Sequence, residues 1–145
     1  MFVTILGRLA EQNDKAVTGF SSPFQDVPDG QWYTQYVAWA ADKGIVFGYS
    51  DTVFAPDDPV TREQMAAIMV RYCDYMGIEL GDEIEIAFSD ADDISQWAKD
   101  IVGRAAAAGL MQGSNGRFSP KDTATRAEVA QLFTNFLKPL QNNQA

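Results

Sequence analysis

Apolar positions along the chain recur at helical spacing in blocks separated by polar, glycine- and proline-containing stretches. Phe2, Ile5, Leu6 and Leu9 fall on one side of a helix at the start. Trp32, Tyr36, Val37, Ala40 and Ala41 form a second stripe, predicting a helix over residues 31–43. Gly44 follows it, where a left-handed cap suits glycine. Further helices are predicted over 62–76, over 94–108 up to Gly109, and over 126–137. Cys73 lies inside one of them and reads as a small buried hydrophobe rather than a reactive thiol. The acidic stretch 81–85 reads as linker, and 138–145 as a frayed polar tail. Strand content is expected to be minor, with a short extended pairing around 84–88. The predicted class is all-α.

The pattern repeats. Phe24 and Asp26 return as Phe88 and Asp90, 64 residues on. Trp32, Gly44 and Gly48 return as Trp97, Gly109 and Gly113 at an offset of 65, and Phe54, Pro56, Thr61 and Arg62 as Phe118, Pro120, Thr125 and Arg126 at 64. One residue inserted and one deleted in loops account for the difference. Phe2, Ile5 and Leu6 align with Met65, Ile68 and Met69, so the opening residues read as the second half of an earlier copy. The expected organisation is 1–17 as that half-repeat, 18–80 and 81–137 as full helix-loop-helix repeats, and 138–145 as tail. On this reading the chain is a fragment of a longer protein.

The segments Thr61 to Gln64 and Thr125 to Glu128 have the form of capping boxes, in which a Thr hydroxyl and a Gln or Glu side chain each serve the other's backbone N–H. Capping leaves Arg62 and Arg126 unexplained. A cation in a helix's first turn opposes the macrodipole by about 0.3–1 kcal/mol, so removing either Arg is expected to leave the fold intact. An Arg placed there twice suggests an anion to meet, at a helix start with free N–H groups. Trp32 and Trp97 open their helices and are expected to anchor the core beneath a loop, with stacking on a sugar as the alternative. Gly48 and Gly113 are expected to supply positive φ, or else a bare N–H facing a groove. Asp26 and Asp90 are expected to bond loop N–H groups as Asx turns do. Asp90, Asp92 and Asp93 lack the alternation and the glycine of a calcium loop. Trp39 aligns with Arg104, which argues against a repeated ligand role.

Composition narrows the chemistry. The 145 residues are 46% hydrophobic and 21% charged, and 20 Asp and Glu against 11 Lys and Arg give a formal charge of −9. That opposes nucleic-acid binding and docking on anionic lipid. Zero histidines exclude imidazole triads and histidine-ligated zinc, and one cysteine excludes an internal disulfide. No apolar run reaches the roughly 20 residues that span a bilayer. The N-terminus lacks a basic segment and a small-residue cleavage site, so it reads as an amphipathic helix rather than a secretion signal. No carboxylate pair recurs in an acid/base context. No enzyme activity, metal or cofactor is expected.

The order Phe-x-Asp, Trp, Gly-Ile-Val-x-Gly, Phe-x-Pro and Thr-Arg-x-Glu resembles the S-layer homology domain, over nearly the whole chain. The resemblance implies tandem helical repeats around a central helix bundle with a pseudo-threefold arrangement. It implies a non-catalytic anchor on the bacterial cell wall, outside the cell, binding a pyruvylated secondary cell-wall polysaccharide. Ligand contacts would centre on Arg62 and Arg126, with Thr61, Thr125, Gln64, Glu128, Gly48, Gly113, Trp32 and Trp97 around them. Gln64 departs from the Glu that the family prefers. An acidic domain can hold an anionic polymer if recognition is local, because salt screens charge beyond about 10 Å. The competing expectation is a protein-interaction or self-assembly module, in which a second copy or another partner covers the face left by the missing half-repeat.

Overall fold

The computed structural model describes residues 2–80 and 87–142, without the side chains of Arg126 and 137–142. Among the described residues it is helical. The helices are α1 (Phe2–Gln12), α2 (Thr34–Asp42), α3 (Arg62–Met76), α4 (Lys99–Ala107) and α5 (Arg126–Asn142), with 3-10 turns at Ala91–Asp93 and Gln96–Ala98. Extended pairing among these residues is limited to the isolated bridges Thr61–Thr123 and Ser114–Arg117. The predicted linker, and most of the pairing expected around 84–88, lie outside the described residues. Contacts group the chain into two compact units, 1–58 with 74–77, and 59–73 with 78–145.

In the first unit α1 packs on α2. The face α1 buries is not quite the predicted one: Phe2, Val3, Leu6, Gly7 and Ala10 are buried, whereas Ile5 is exposed. Gly7 decides the rotation, because a Cβ there would meet the Tyr36 ring at 2.9–3.0 Å from Cε1 and Cγ. The small residue lets an aromatic from α2 lie against the α1 backbone. Trp39, with no aromatic counterpart in the next repeat, is fully buried, and its Nε1–H donates to Tyr75 Oη at 3.4 Å. Phe24, Val27 and Val37 form a further cluster with Tyr33, Ala41 and Phe54.

In the second unit Met65, Met69 and Tyr72 of α3, Val102 and Ala105 of α4, and Leu132 and Phe136 of α5 are buried with Leu110 and Phe118. The Tyr72 and Phe136 rings lie 6.1 Å apart. Each such large apolar side chain contributes about 1.5–3 kcal/mol on burial. Cys73 is fully buried, as its helical position implies.

Two helix ends match the sequence. Gly44 and Gly109 have φ of 70° and 73°. The N–H of Ile45 reaches Ala40 O at 2.8 Å and that of Leu110 reaches Ala105 O at 3.0 Å, closing Schellman caps with buried apolar residues at both positions. The starts predicted at residues 62 and 126 also match, at α3 and α5, whereas those of α2 and α4 do not. α2 begins at Thr34 rather than residue 31, because Thr34 Oγ1 donates to Pro28 O at 2.7 Å and accepts from Gln31 N–H at 3.1 Å, holding the preceding residues in a turn. α4 begins at Lys99 rather than 94, after the two 3-10 turns. α5 runs past 137 to Asn142, since no glycine stops it there.

Candidate functional site

The start of α3 is a capping box with both halves made. Thr61 N–H donates to Gln64 Oε1 at 3.0 Å, and Gln64 N–H to Thr61 Oγ1 at 3.3 Å. The other helix-start donors are also taken: Arg62 N–H by Asp122 O at 2.9 Å, Glu63 N–H by Pro120 O at 3.0 Å, and Met65 N–H by Thr61 O at 2.9 Å. The expected anion site made of bare N–H groups is therefore absent at this helix. Tertiary carbonyls fill it.

The guanidinium of Arg62 is held as firmly. Its Nε–H donates to Phe118 O at 2.7 Å and its Nη2–H to Gln112 O at 3.1 Å, while Nη1 lies 3.0 Å from Glu128 Oε2. The group lies over the Phe118 ring, 5.2 Å from its centroid, and its side chain is only 11% exposed. The expectation that Arg62 has no structural task is wrong. A loss of about 0.3–1 kcal/mol to the helix dipole is outweighed by charged hydrogen bonds worth about 1.5–3 kcal/mol each where they are shielded from water.

At α5 the second capping box is also formed. Thr125 N–H donates to Glu128 Oε2 at 3.3 Å and Glu128 N–H to Thr125 Oγ1 at 3.1 Å. Glu128 Oε2 thus serves both the cap and Arg62. The Arg126 side chain lies outside the described residues.

Gly48 and Gly113 do not supply positive φ. They supply room. A Cβ on Gly113 would run into Arg117 O and come within 2.7 Å of Phe88, and one on Gly48 would run into Val53 O and come within 2.6 Å of Phe24. These loops close too tightly on themselves for a side chain. Asp26 and Asp90 do bond loop N–H groups, but across the repeat rather than locally. Asp26 accepts from Phe54 and Ala55 at 2.9 and 2.7 Å, and Asp90 from Phe118 and Ser119, both at 2.8 Å. The Phe54 N–H chiefly holds the Asp26 carboxyl below its ordinary range. For Asp90 burial pushes upward, and the N–H groups of Phe118 and Ser119 outweigh it.

Trp32 and Trp97 are 62% and 52% exposed, so neither is the core anchor expected. Each lies two residues before its α-helix, out of register with the buried stripe. Tyr33 and Ala98 take the inward places instead. The Trp32 and Tyr33 rings lie nearly perpendicular with centroids 5.4 Å apart, and the Arg71 guanidinium lies 5.9 Å from the Trp97 centroid.

A family model described as the S-layer homology domain matches residues 23–66 and 87–130, each stretch running from the residue before the Phe of Phe-x-Asp through a capping box. The chain belongs to the S-layer homology (SLH) domain family. An amylopullulanase of Thermoanaerobacterium thermosulfurigenes is 34% identical over 143 residues, covering 97% of this chain and 8% of the relative. A surface-layer 125 kDa protein of Lysinibacillus sphaericus is 34% identical over 79% of the chain and 10% of its own length. A cellulosome-anchoring protein of Acetivibrio thermocellus is 26% identical over 95% of the chain and 30% of its own length. The chain thus spans less than a third of each of these relatives.

Within the second unit the structure brings Thr61, Arg62, Gln64, Gly113, Thr125 and Glu128 of the two SLH repeats into one neighbourhood, through the loop at 112–122. Gly48 and Trp32 belong to the first unit. One residue at this site escaped the sequence reading. Glu63, the variable position of the SLH motif, is 4% exposed, and it accepts from Ser95 N–H at 2.9 Å, Ser95 Oγ–H at 2.6 Å and Lys121 Nζ at 2.7 Å. Burial pushes its carboxyl up, and the bonds from Lys121 and Ser95 outweigh this, leaving it below its ordinary range. Ala127 stands at the equivalent place in the next repeat, so repetition offered no signal. Among the described residues no helix is long and apolar enough to cross a membrane, and no His, Cys, Asp or Glu cluster could hold a metal.

Proposed function

We propose that this chain is a non-catalytic anchoring module that holds an attached protein on a bacterial cell wall by binding pyruvylated secondary cell-wall polysaccharide. The observation that carries the reading is the Arg62 guanidinium, fixed in plane by the carbonyls of Gln112 and Phe118 beside the Gly113 loop. A planar cation held this way suits a carboxylate such as that of a pyruvate ketal. Arg126 stands at the same motif position in the next SLH repeat and is assigned the same role. Thr61, Gln64, Thr125 and Glu128 set the two helix starts, and Gly48 and Gly113 let the loops close tightly. Trp32 and Trp97, each more than half exposed, offer aromatic surface for sugar rings. The relatives named as surface-layer and cellulosome-anchoring proteins support an extracellular, wall-bound setting. The amylopullulanase name carries no catalytic role to this chain, which covers only 8% of that protein.

The test is a pull-down with purified pyruvylated wall polymer against the same polymer stripped of pyruvate. Retention on the first alone is expected, and equal recovery from both would overturn the reading. The exposed Trp32, Phe47 and Tyr49, each more than 60% exposed, favour self-association as the second reading. Light scattering across a concentration series separates the two, since a monomer throughout excludes it.

A further inference from the structure

We infer that Glu128 is a built-in competitor for the ligand-binding edge of Arg62, so that a polymer carboxylate binds by displacing it. The inference rests on the anchoring role proposed above. Each of the three guanidinium nitrogens has a partner. Nε and Nη2 face the carbonyls of Phe118 and Gln112, which fix the plane, and Nη1 faces Glu128 Oε2 at 3.0 Å. An incoming carboxylate therefore meets another carboxylate already in place.

The charge on Glu128 is not there for the helix cap. At the equivalent position Gln64 makes both halves of the same box with a neutral amide, at 3.0 and 3.3 Å. The cap asks only for an acceptor oxygen, so the negative charge at 128 acts on Arg62. Exposure tells which partner yields. The Glu128 side chain is 36% exposed and can swing into water, whereas that of Arg62 is 11% exposed and pinned by backbone. A competitor within the same molecule acts at high effective concentration. Small free carboxylates lose to it, whereas a sugar-borne carboxylate with further contacts wins. Glu128 is thus a specificity-determining residue, filtering the site against simple anions.

The test compares the full chain with Glu128→Gln by calorimetric titration of pyruvylated wall polysaccharide, with and without sodium pyruvate. Asp51→Asn, an exposed change in the other unit, measures the effect of net charge alone. Glu128→Gln is expected to bind about tenfold more tightly than Asp51→Asn, and to become inhibitable by millimolar pyruvate that leaves the native chain unaffected. Circular dichroism checks its fold, and Glu128→Asp, whose carboxylate falls short, serves if the glutamine variant is unstable. Equal affinity of Glu128→Gln and Asp51→Asn overturns the inference and leaves anchoring intact. Weaker binding shows that Glu128 positions Arg62 and overturns it too. No binding by any chain removes the anchoring reading and the inference together.

Discussion

Replacing Arg62 by Ala removes a side chain whose partners are all elsewhere in the second unit. The Nε bond to Phe118 O is short, at 2.7 Å, and partly buried, and a hydrogen bond from a charged donor in such a place contributes about 2 kcal/mol. The bond to Gln112 O is exposed and the Glu128 pair half-open to water, so each adds about 0.5 kcal/mol. Contact with the Phe118 face adds a similar amount. Relief of the helix dipole returns about 0.5 kcal/mol. A net loss of about 2–3 kcal/mol is expected, read as a lower urea midpoint by circular dichroism at unchanged slope. Arg62→Lys keeps the charge but not the fork, and should retain most of that loss. A midpoint within about 0.5 kcal/mol of the native chain for Arg62→Ala, or full rescue by Lys, would refute the assignment of Arg62 as a clamp on the 112–118 loop.

Gly113→Ala should destabilise by about 1–3 kcal/mol or more, because the new methyl meets a backbone oxygen that cannot step aside; an unchanged melting temperature would contradict the packing described. Asp14 sits at φ 64° in the cap that ends α1, with Lys15 N–H on Ala10 O at 3.0 Å, so Asp14→Gly should stabilise by up to about 1 kcal/mol, checked by urea titration. Asp26, Asp90 and Glu63 have folded-state pKa values below their unfolded ones, so their contribution is complete above the ordinary carboxylate range and is lost as pH falls through the lowered values. Urea midpoints should hold near neutrality and drop progressively below about pH 4. A midpoint at pH 3 equal to that at pH 7 would count against these bonds.

Much of this protein was legible from one dimension. The repeat, the two glycine stops at Gly44 and Gly109, both capping boxes and the carboxylates at 26 and 90 each follow from residue types at short or repeated spacing. A Schellman cap or a capping box is closed within about six residues, so its whole energy lies inside a window that a linear reading covers. Tertiary structure decided the rest. The α1 face was turned by Tyr36 reaching Gly7. Trp32 and Trp97 came out of the core because turns, not helices, precede Thr34 and Lys99. The anion site expected at α3 was closed by Pro120 and Asp122. Arg62 found its carbonyls 50 and 56 residues along the chain, and Glu63 found Ser95 and Lys121 at separations of 32 and 58. The helix dipole gives a charged side chain in the first turn only a weak local preference, so what it does is settled by whichever backbone oxygens and opposite charges the fold carries to it, and no local pattern encodes those.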